Sequence, residues 1–228
     1  MSLFRTYELN CPACNTPVRF DLVMSVAADR RPDLRAAILD GSFQRKVCPA
    51  CATAFRPEPE FTYIDFARGQ YIFVYPVDKR PAWQEWGAKA AAIFDSTLGK
   101  NATKEAVVLG KKVDPRVVFG WPALIEKILA RQAGIDDRTL EVAKILVMQN
   151  SDESPVPGQL ELRLVGDEDG DLIFAWVHAL DRTVGDAMRV PRSLIAEIDA
   201  EPEPWKAMRD QVGEGLVVDF QREMLAAA

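Results

Sequence analysis

Histidine is nearly missing from this chain: His178 is the one imidazole in 228 residues. That excludes multi-histidine metal sites, and any Cys/His or Ser/His catalytic machine would have to run through that single residue. Long apolar runs are missing too, so no transmembrane helix is expected. The opening MSLFRTYELNCPAC has neither the charged start nor the long apolar stretch and small-residue cleavage site of a signal peptide. The expected compartment is therefore cytoplasmic. Neither G-x-x-x-x-G-K-[ST] nor G-x-G-x-x-G occurs, and VLGKK is too short to cradle a phosphate.

An overall basic balance is also lacking. The net charge is −6, and it is unevenly spread. Residues 1–80 carry 11 Lys+Arg against 9 Asp+Glu, while the rest of the chain carries 17 against 25. An acidic body argues against general binding to a polyanion, where counterion release rewards a concentrated basic face. The mildly basic N-terminal part leaves one nucleic-acid reading open, with Arg30, Arg31, Arg35, Arg45 and Lys46 as phosphate contacts.

Cysteine is scarce, at four residues, but all four stand in two copies of one tetrapeptide: Cys11-Pro12-Ala13-Cys14 and Cys48-Pro49-Ala50-Cys51. In a reducing compartment such spacing favours metal or thiolate chemistry over structural disulfides. Two C-x-x-C turns can each curl over one ion and offer it two thiolates, the donor set of a closed tetrahedral zinc site. Pro12 and Pro49 set φ where no amide donor is required. Beyond the tetrapeptides, CPACNTPVR and CPACATAFR share Thr16/Thr53 and Arg19/Arg56. The arginines would either offset the charge of a four-thiolate centre or face solvent. Asn15 and Ala52 follow the second cysteines, where a left-handed backbone suits Asn and strains Ala. The 33 residues between Cys14 and Cys48 exceed the usual gap of about 15–20, and an inserted helix explains the excess. A redox C-x-x-C pair is the competing reading, although the segments after both copies look extended where a helix N-terminus would be needed. An iron–sulfur site or free thiols complete the alternatives.

The fold class expected is α+β, in three parts: a zinc-ribbon-like β module over 1–80, a helical segment over 81–150 and a small α+β unit over 151–228. In the first, RTYELN and TPVRFDLVM flank the first CPAC and QRKV leads into the second. RRPDLRAAILDG reads as a short helix stopped at Gly41, and FTYID with QYIFVYPV as a hairpin across Ala67-Arg68-Gly69. In the second part, Trp83, Trp86, Ala90 and Phe94 recur at helical spacing up to Gly99. KNATKEAVVLGKKVDP reads as a connector, and WPALIEKILARQAG and IDDRTLEVAKILVMQN as a helical hairpin with Asp136 or Asp137 as N-cap. SDESPVPG is the best linker. QLELRLVG and DLIFAWVHAL then form a hairpin around Asp167-Glu168-Asp169-Gly170, before helices at PRSLIAEIDA and EPWKAMRDQ and a last amphipathic piece at FQREML.

With the two motifs placed, the N-terminal region resembles the CpXC family, named for paired Cys-Pro-x-Cys motifs. The likeness extends to Leu34, Ile38, Leu39, Asp40, Gly41, Ser42 and Phe43 of the inserted helix and to the Phe61-Thr62-Tyr63-Ile64-Asp65 strand. It continues into VVFGWPALIEKI and GIDDRTLEVAKIL, about two thirds of the chain in all. Asn15 and Ala52 depart from the Gly these knuckles often carry. The resemblance implies a fold and a metal site and supplies no activity.

Other candidates reduce to structure. His178 shares a strand face with Leu172, Phe174, Trp176 and Leu180, at the border of a core. GDEDGD at 166–171 lacks the spacing of an EF-hand loop. Trp83, Trp86 and Phe94 form a helical stripe of the kind that packs inward. The expected function is a cytoplasmic zinc-binding protein with an interaction or regulatory role, taking an unidentified protein partner and no membrane. Cys11, Cys14, Cys48 and Cys51 are its Zn²⁺ ligands, and no catalytic or cofactor-binding residue can be named. The alternatives are a nucleic-acid or transcription-associated zinc ribbon and an enzyme with its site in the C-terminal part.

Overall fold

A computed structural model describes residues 2–150, 160–178 and 183–222. The first hairpin pairs β1 (Leu3–Asn10) with β2 (Pro17–Ala27) antiparallel, from Asn10 opposite Pro17 to Phe4 opposite Val23, and its turn is the first CPAC. The helix α1 (Pro32–Leu39) follows, begun by a proline that needs no amide partner there and ended before Gly41 at φ +78°. A second, very short hairpin, β3 (Lys46–Val47) with β4 (Ala54–Phe55), carries the second CPAC. Then β5 (Phe61–Asp65) and β6 (Gln70–Tyr75) pair antiparallel across Ala67-Arg68-Gly69, with Gly69 at φ +68°.

The middle of the chain holds α2 (Trp83–Thr97), α3 (Lys104–Gly110), β7 (Asp114–Phe119), α4 (Gly120–Gln132) and α5 (Asp137–Gln149). Two of these correct the sequence reading of 100–115 as a connector. Thr103 caps α3 by accepting from the Ala106 amide at 3.4 Å, which starts a helix inside the connector. Pro115, the last residue of that connector, lies within β7. The Val117 amide donates to the Leu216 carbonyl at 2.9 Å, so the backbone nitrogen two residues earlier points to the same side, beyond the last strand that pairs there. A proline in that place leaves no ladder bond unmade. Asp136 caps α5 through the Arg138 and Thr139 amides, as its sequence position implied.

The remaining elements are β8 (Leu160–Glu168), β9 (Asp171–His178), β10 (Val184–Pro191), α6 (Ser193–Ala200), α7 (Pro202–Gln211), β11 (Gly213–Glu214) and β12 (Val217–Val218). The β8–β9 turn uses Asp169 and Gly170, both at positive φ, which suits the twist of a two-residue hairpin. The linker expected at 151–158 lies outside the described residues, as do Ala179, Leu180 and the end of FQREML.

The strands form a seven-stranded sheet in the order β1-β2-β5-β6-β7-β12-β11, a three-stranded sheet β10-β9-β8 and the β3–β4 hairpin. Because β6 lies at the centre of the large sheet, both of its faces are buried. Ile72 and Val74 enter a core with α1 and α4; Tyr71, Phe73 and Tyr75 enter another with α2. The three-stranded sheet packs Leu162, Phe174 and Trp176 with Leu140 of α5 and Ile198 of α6. At one edge, β1 is exposed along nearly its whole length, including Leu3, Phe4 and Tyr7.

Candidate metal centre

Both CPAC turns are built alike. The Cys11 amide donates to the Thr16 carbonyl at 2.9 Å and the Asn15 amide to the Cys11 carbonyl at 2.9 Å. In the second copy the Cys48 amide donates to Thr53 and the Ala52 amide to Cys48, at 2.9 and 3.0 Å. Asn15 and Ala52 both stand at φ +59°, so each knuckle closes on a left-handed residue. Ala52 adopts the same strained backbone as Asn15. Ala52→Gly is therefore expected to raise the stability of the protein by about 1 kcal/mol, and Asn15→Ala to lower it, as read by thermal unfolding.

The paired turns converge. Cys11 Sγ lies 3.6 Å from Cys51 Sγ, Cys14 Sγ lies 3.6 Å from Cys48 Sγ, and all four sulfurs fall within 4.8 Å of one another. Four thiolates about 2.3 Å from one ion in a tetrahedron stand about 3.8 Å apart, so this spacing fits a shared metal. It is far beyond the ~2.05 Å of a disulfide bond. Neither knuckle opens a helix, since β2 and β4 follow them. A thiol activated by a helix N-terminus thus has no basis here. Cys11 and Cys48 are buried beside Val18 and Phe20, while Cys14 and Cys51 are exposed. Burial pushes the Cys11 thiol up to about 11. The Thr53 hydroxyl, 3.3 Å from Cys51 Sγ, draws that thiol down to about 6, and Thr16 lowers Cys14 in the same way. The threonines shared by the two copies thus favour thiolate at the outer sulfurs.

A family model described as CpXC protein matches residues 9–144, more than half of the chain, and spans both knuckles. The chain belongs to the CpXC family. No curated protein and no solved structure is significantly similar to it.

Within this CpXC region the arginines after the knuckles have different fates. Arg19 is exposed, and its carbonyl accepts from Lys46 Nζ at 2.6 Å. Arg56 is buried, its guanidinium 3.3 Å from the Trp121 ring centroid. The Trp121 indole in turn donates to the Pro57 carbonyl at 2.9 Å. The strand leaving the second knuckle is therefore pinned to the start of α4. Under the knuckles, Phe20 and Phe55 meet edge to face with centroids 5.2 Å apart, which ties the two hairpins together.

Other sequence candidates scatter. Arg31 is bound twice by Asp33, and Arg35 donates to Gln132. Lys46 lies over the Phe20 ring. His178 ends β9 half-buried. Within the 166–171 run, Asp167 pairs with Arg192 and Glu168 with Arg189. Trp83 is buried and Trp86 packs on Tyr75. Asp137 pairs with Arg116 at 2.6 Å.

A buried charge network that joins the CpXC region to the strands after it has no signal in the sequence. Glu126 of α4 is fully buried and accepts from Lys144 Nζ of α5 at 3.0 Å and from Arg163 of β8 at 2.8 Å. Glu141, Glu161 and Asp219 close around the same two cations. Lys127, also buried, donates to the Val218 carbonyl at 2.7 Å, and Arg80 pairs with Glu161. Burial pushes the Glu126 carboxyl up, but Lys144 and Arg163 outweigh it and hold the group below its ordinary range. Glu141 goes the other way, because burial wins over Lys144 and Lys127. The charges occupy positions that helical periodicity assigns to packing, and their partners lie up to 91 residues away in sequence (Lys127 to Val218), so no local pattern reveals them.

Proposed function

We propose that Cys11, Cys14, Cys48 and Cys51 hold one structural Zn²⁺, and that this CpXC protein acts in the cytoplasm as a zinc-binding interaction or regulatory module. The convergence of four sulfurs within 4.8 Å from two matching turns carries the reading. Four soft donors in a closed tetrahedron suit zinc and leave no open position for a substrate, which favours a structural role over a catalytic one. Bound there, zinc would join the β1–β2 turn to the β3–β4 turn and so couple metal loading to folding of the N-terminal strands. The exposed edge strand β1, with Leu3, Phe4 and Tyr7 turned to solvent, supports the interaction part, since the outer edge of a strand with apolar side chains is a ready surface for a protein partner.

Elemental analysis of the purified protein should give about one zinc per chain. Metal-free protein carrying a Cys11–Cys14 disulfide would overturn the assignment in favour of redox chemistry. Affinity capture from the native cell, run in parallel with Phe4→Asp, tests the partner surface; the variant should lose the proteins that the wild type retains.

A further inference from the structure

We propose that Cys14 and Cys51 are oxidation sites, at which a peroxide converts the cluster into two disulfides that cross between the knuckles, Cys14–Cys48 and Cys11–Cys51. The metal-release part of this inference rests on the zinc reading above; the disulfide pattern does not.

The cluster is split by exposure. Cys11 is 2% exposed and Cys48 1%, whereas Cys14 and Cys51 are exposed residues. A small oxidant can therefore meet Cys14 and Cys51 without opening the fold, and cannot meet the other two. Each outer sulfur has a buried sulfur of the opposite knuckle 3.6 Å away. Closing that gap to a bond of ~2.05 Å needs a movement of about 1.6 Å. Both halves of the cluster offer the same arrangement, because the two turns repeat each other hydrogen bond for hydrogen bond.

The chemistry balances with hydrogen peroxide as the two-electron oxidant. The Cys14 thiolate attacks one peroxide oxygen; the S–O bond forms, the O–O bond breaks and hydroxide leaves, giving the sulfenic acid. The Cys48 thiolate then attacks Cys14 Sγ; the S–S bond forms, the S–O bond breaks and a second hydroxide leaves. Cys51 and Cys11 repeat the sequence with a second peroxide. Each disulfide removes two anionic ligands, so the oxidised cluster can no longer hold its ion. A resolving sulfur waiting at 3.6 Å also shields the sulfenic acid from further oxidation. Disulfides that cross between knuckles keep the β1–β2 and β3–β4 hairpins tied after the metal has gone, so reduction can restore the site without refolding the ribbon.

The test uses the full-length protein with its zinc content measured first. Peroxide is added, zinc is followed with a chromogenic chelator, and disulfides are mapped by differential alkylation and peptide mass spectrometry. A brief exposure of the untreated protein to N-ethylmaleimide should label Cys14 and Cys51 about tenfold faster than Cys11 and Cys48. Oxidation should yield the Cys14–Cys48 and Cys11–Cys51 linkages, with about one zinc released per chain. Cys11–Cys14 and Cys48–Cys51 linkages, sulfonic acids without disulfides, or zinc retained through disulfide formation would each overturn the proposal. Should the untreated protein hold no metal, the zinc reading fails, while the disulfide map still decides between crossed and in-knuckle pairing.

Discussion

Exchanging Arg163 for methionine is expected to lower stability by about 3–5 kcal/mol, because it strips a buried cation from the carboxylates around it. The guanidinium of Arg163 contacts Glu161 at 2.9 Å, Glu126 at 2.8 Å and Asp219 at 2.8 Å, and its side chain is nearly sealed from water. Lys144 would be left as the neighbour shared by Glu126 and Glu141. The effect should also depend on pH. Burial pushes Asp219 up, but Arg163, Lys144 and Arg80 outweigh it and hold its carboxyl well below the usual range. A depressed carboxylate stabilises the fold above its unfolded pKa of about 4 and stops doing so as pH falls toward the folded value. The gap between wild type and Arg163→Met should therefore narrow as pH falls below about 4. Urea unfolding at several pH values measures it, and a loss under 1 kcal/mol at neutral pH would mean that the charges relax into solvent.

Trp121→Ala should cost about 3–5 kcal/mol as well, for a different reason. The indole is fully buried, meets Phe43 and Phe61 at centroid distances of 6.1 and 5.7 Å, and lies under Arg56. Removing it opens a void between α1, α4 and the sheet, and it frees the Arg56–Pro57 stretch that follows the second knuckle. The conservative Trp121→Phe variant keeps most of the apolar contact and loses the hydrogen bond to Pro57. Its cost should be about 1–2 kcal/mol. Metal affinity should fall with Trp121→Ala even though no ligand has changed, and a competitive chelator titration reads that shift. Unchanged affinity would show that the second knuckle keeps its shape without its anchor on α4.

Much of this protein is legible because its signals are local. The two CPAC turns, the Gly41 stop, the Asp136 cap and the Asp169-Gly170 turn each act over a few residues, where backbone preference and side-chain chemistry decide the outcome. The matched Thr16 and Thr53 were visible as a repeat, and the structure adds that each hydroxyl sits against an outer sulfur. What stayed hidden depends on distant partners. Pro115 reads as a breaker until one sees that its nitrogen faces past the end of β12. Val217 and Val218 are too few to announce a strand, and they become one because β7 offers a parallel edge. Glu126 and Lys144 look like ordinary charges on helices, and only their contact with each other, and that of Glu126 with Arg163 of β8, explains their burial.

The pairing of Val217 with Val117 also sets an order of events during synthesis. All four cysteines have been translated once Cys51 is added, so the two CPAC turns can come together while most of the chain is still to be made. The large sheet, in contrast, cannot gain β12 until a hundred further residues beyond β7 have been made. At about 5–20 residues per second that is a wait of roughly 5–20 seconds, during which the β7 edge and the buried charges of α4 and α5 lack their final neighbours. The nascent chain thus holds the elements of one end of its sheet early and waits for those of the other.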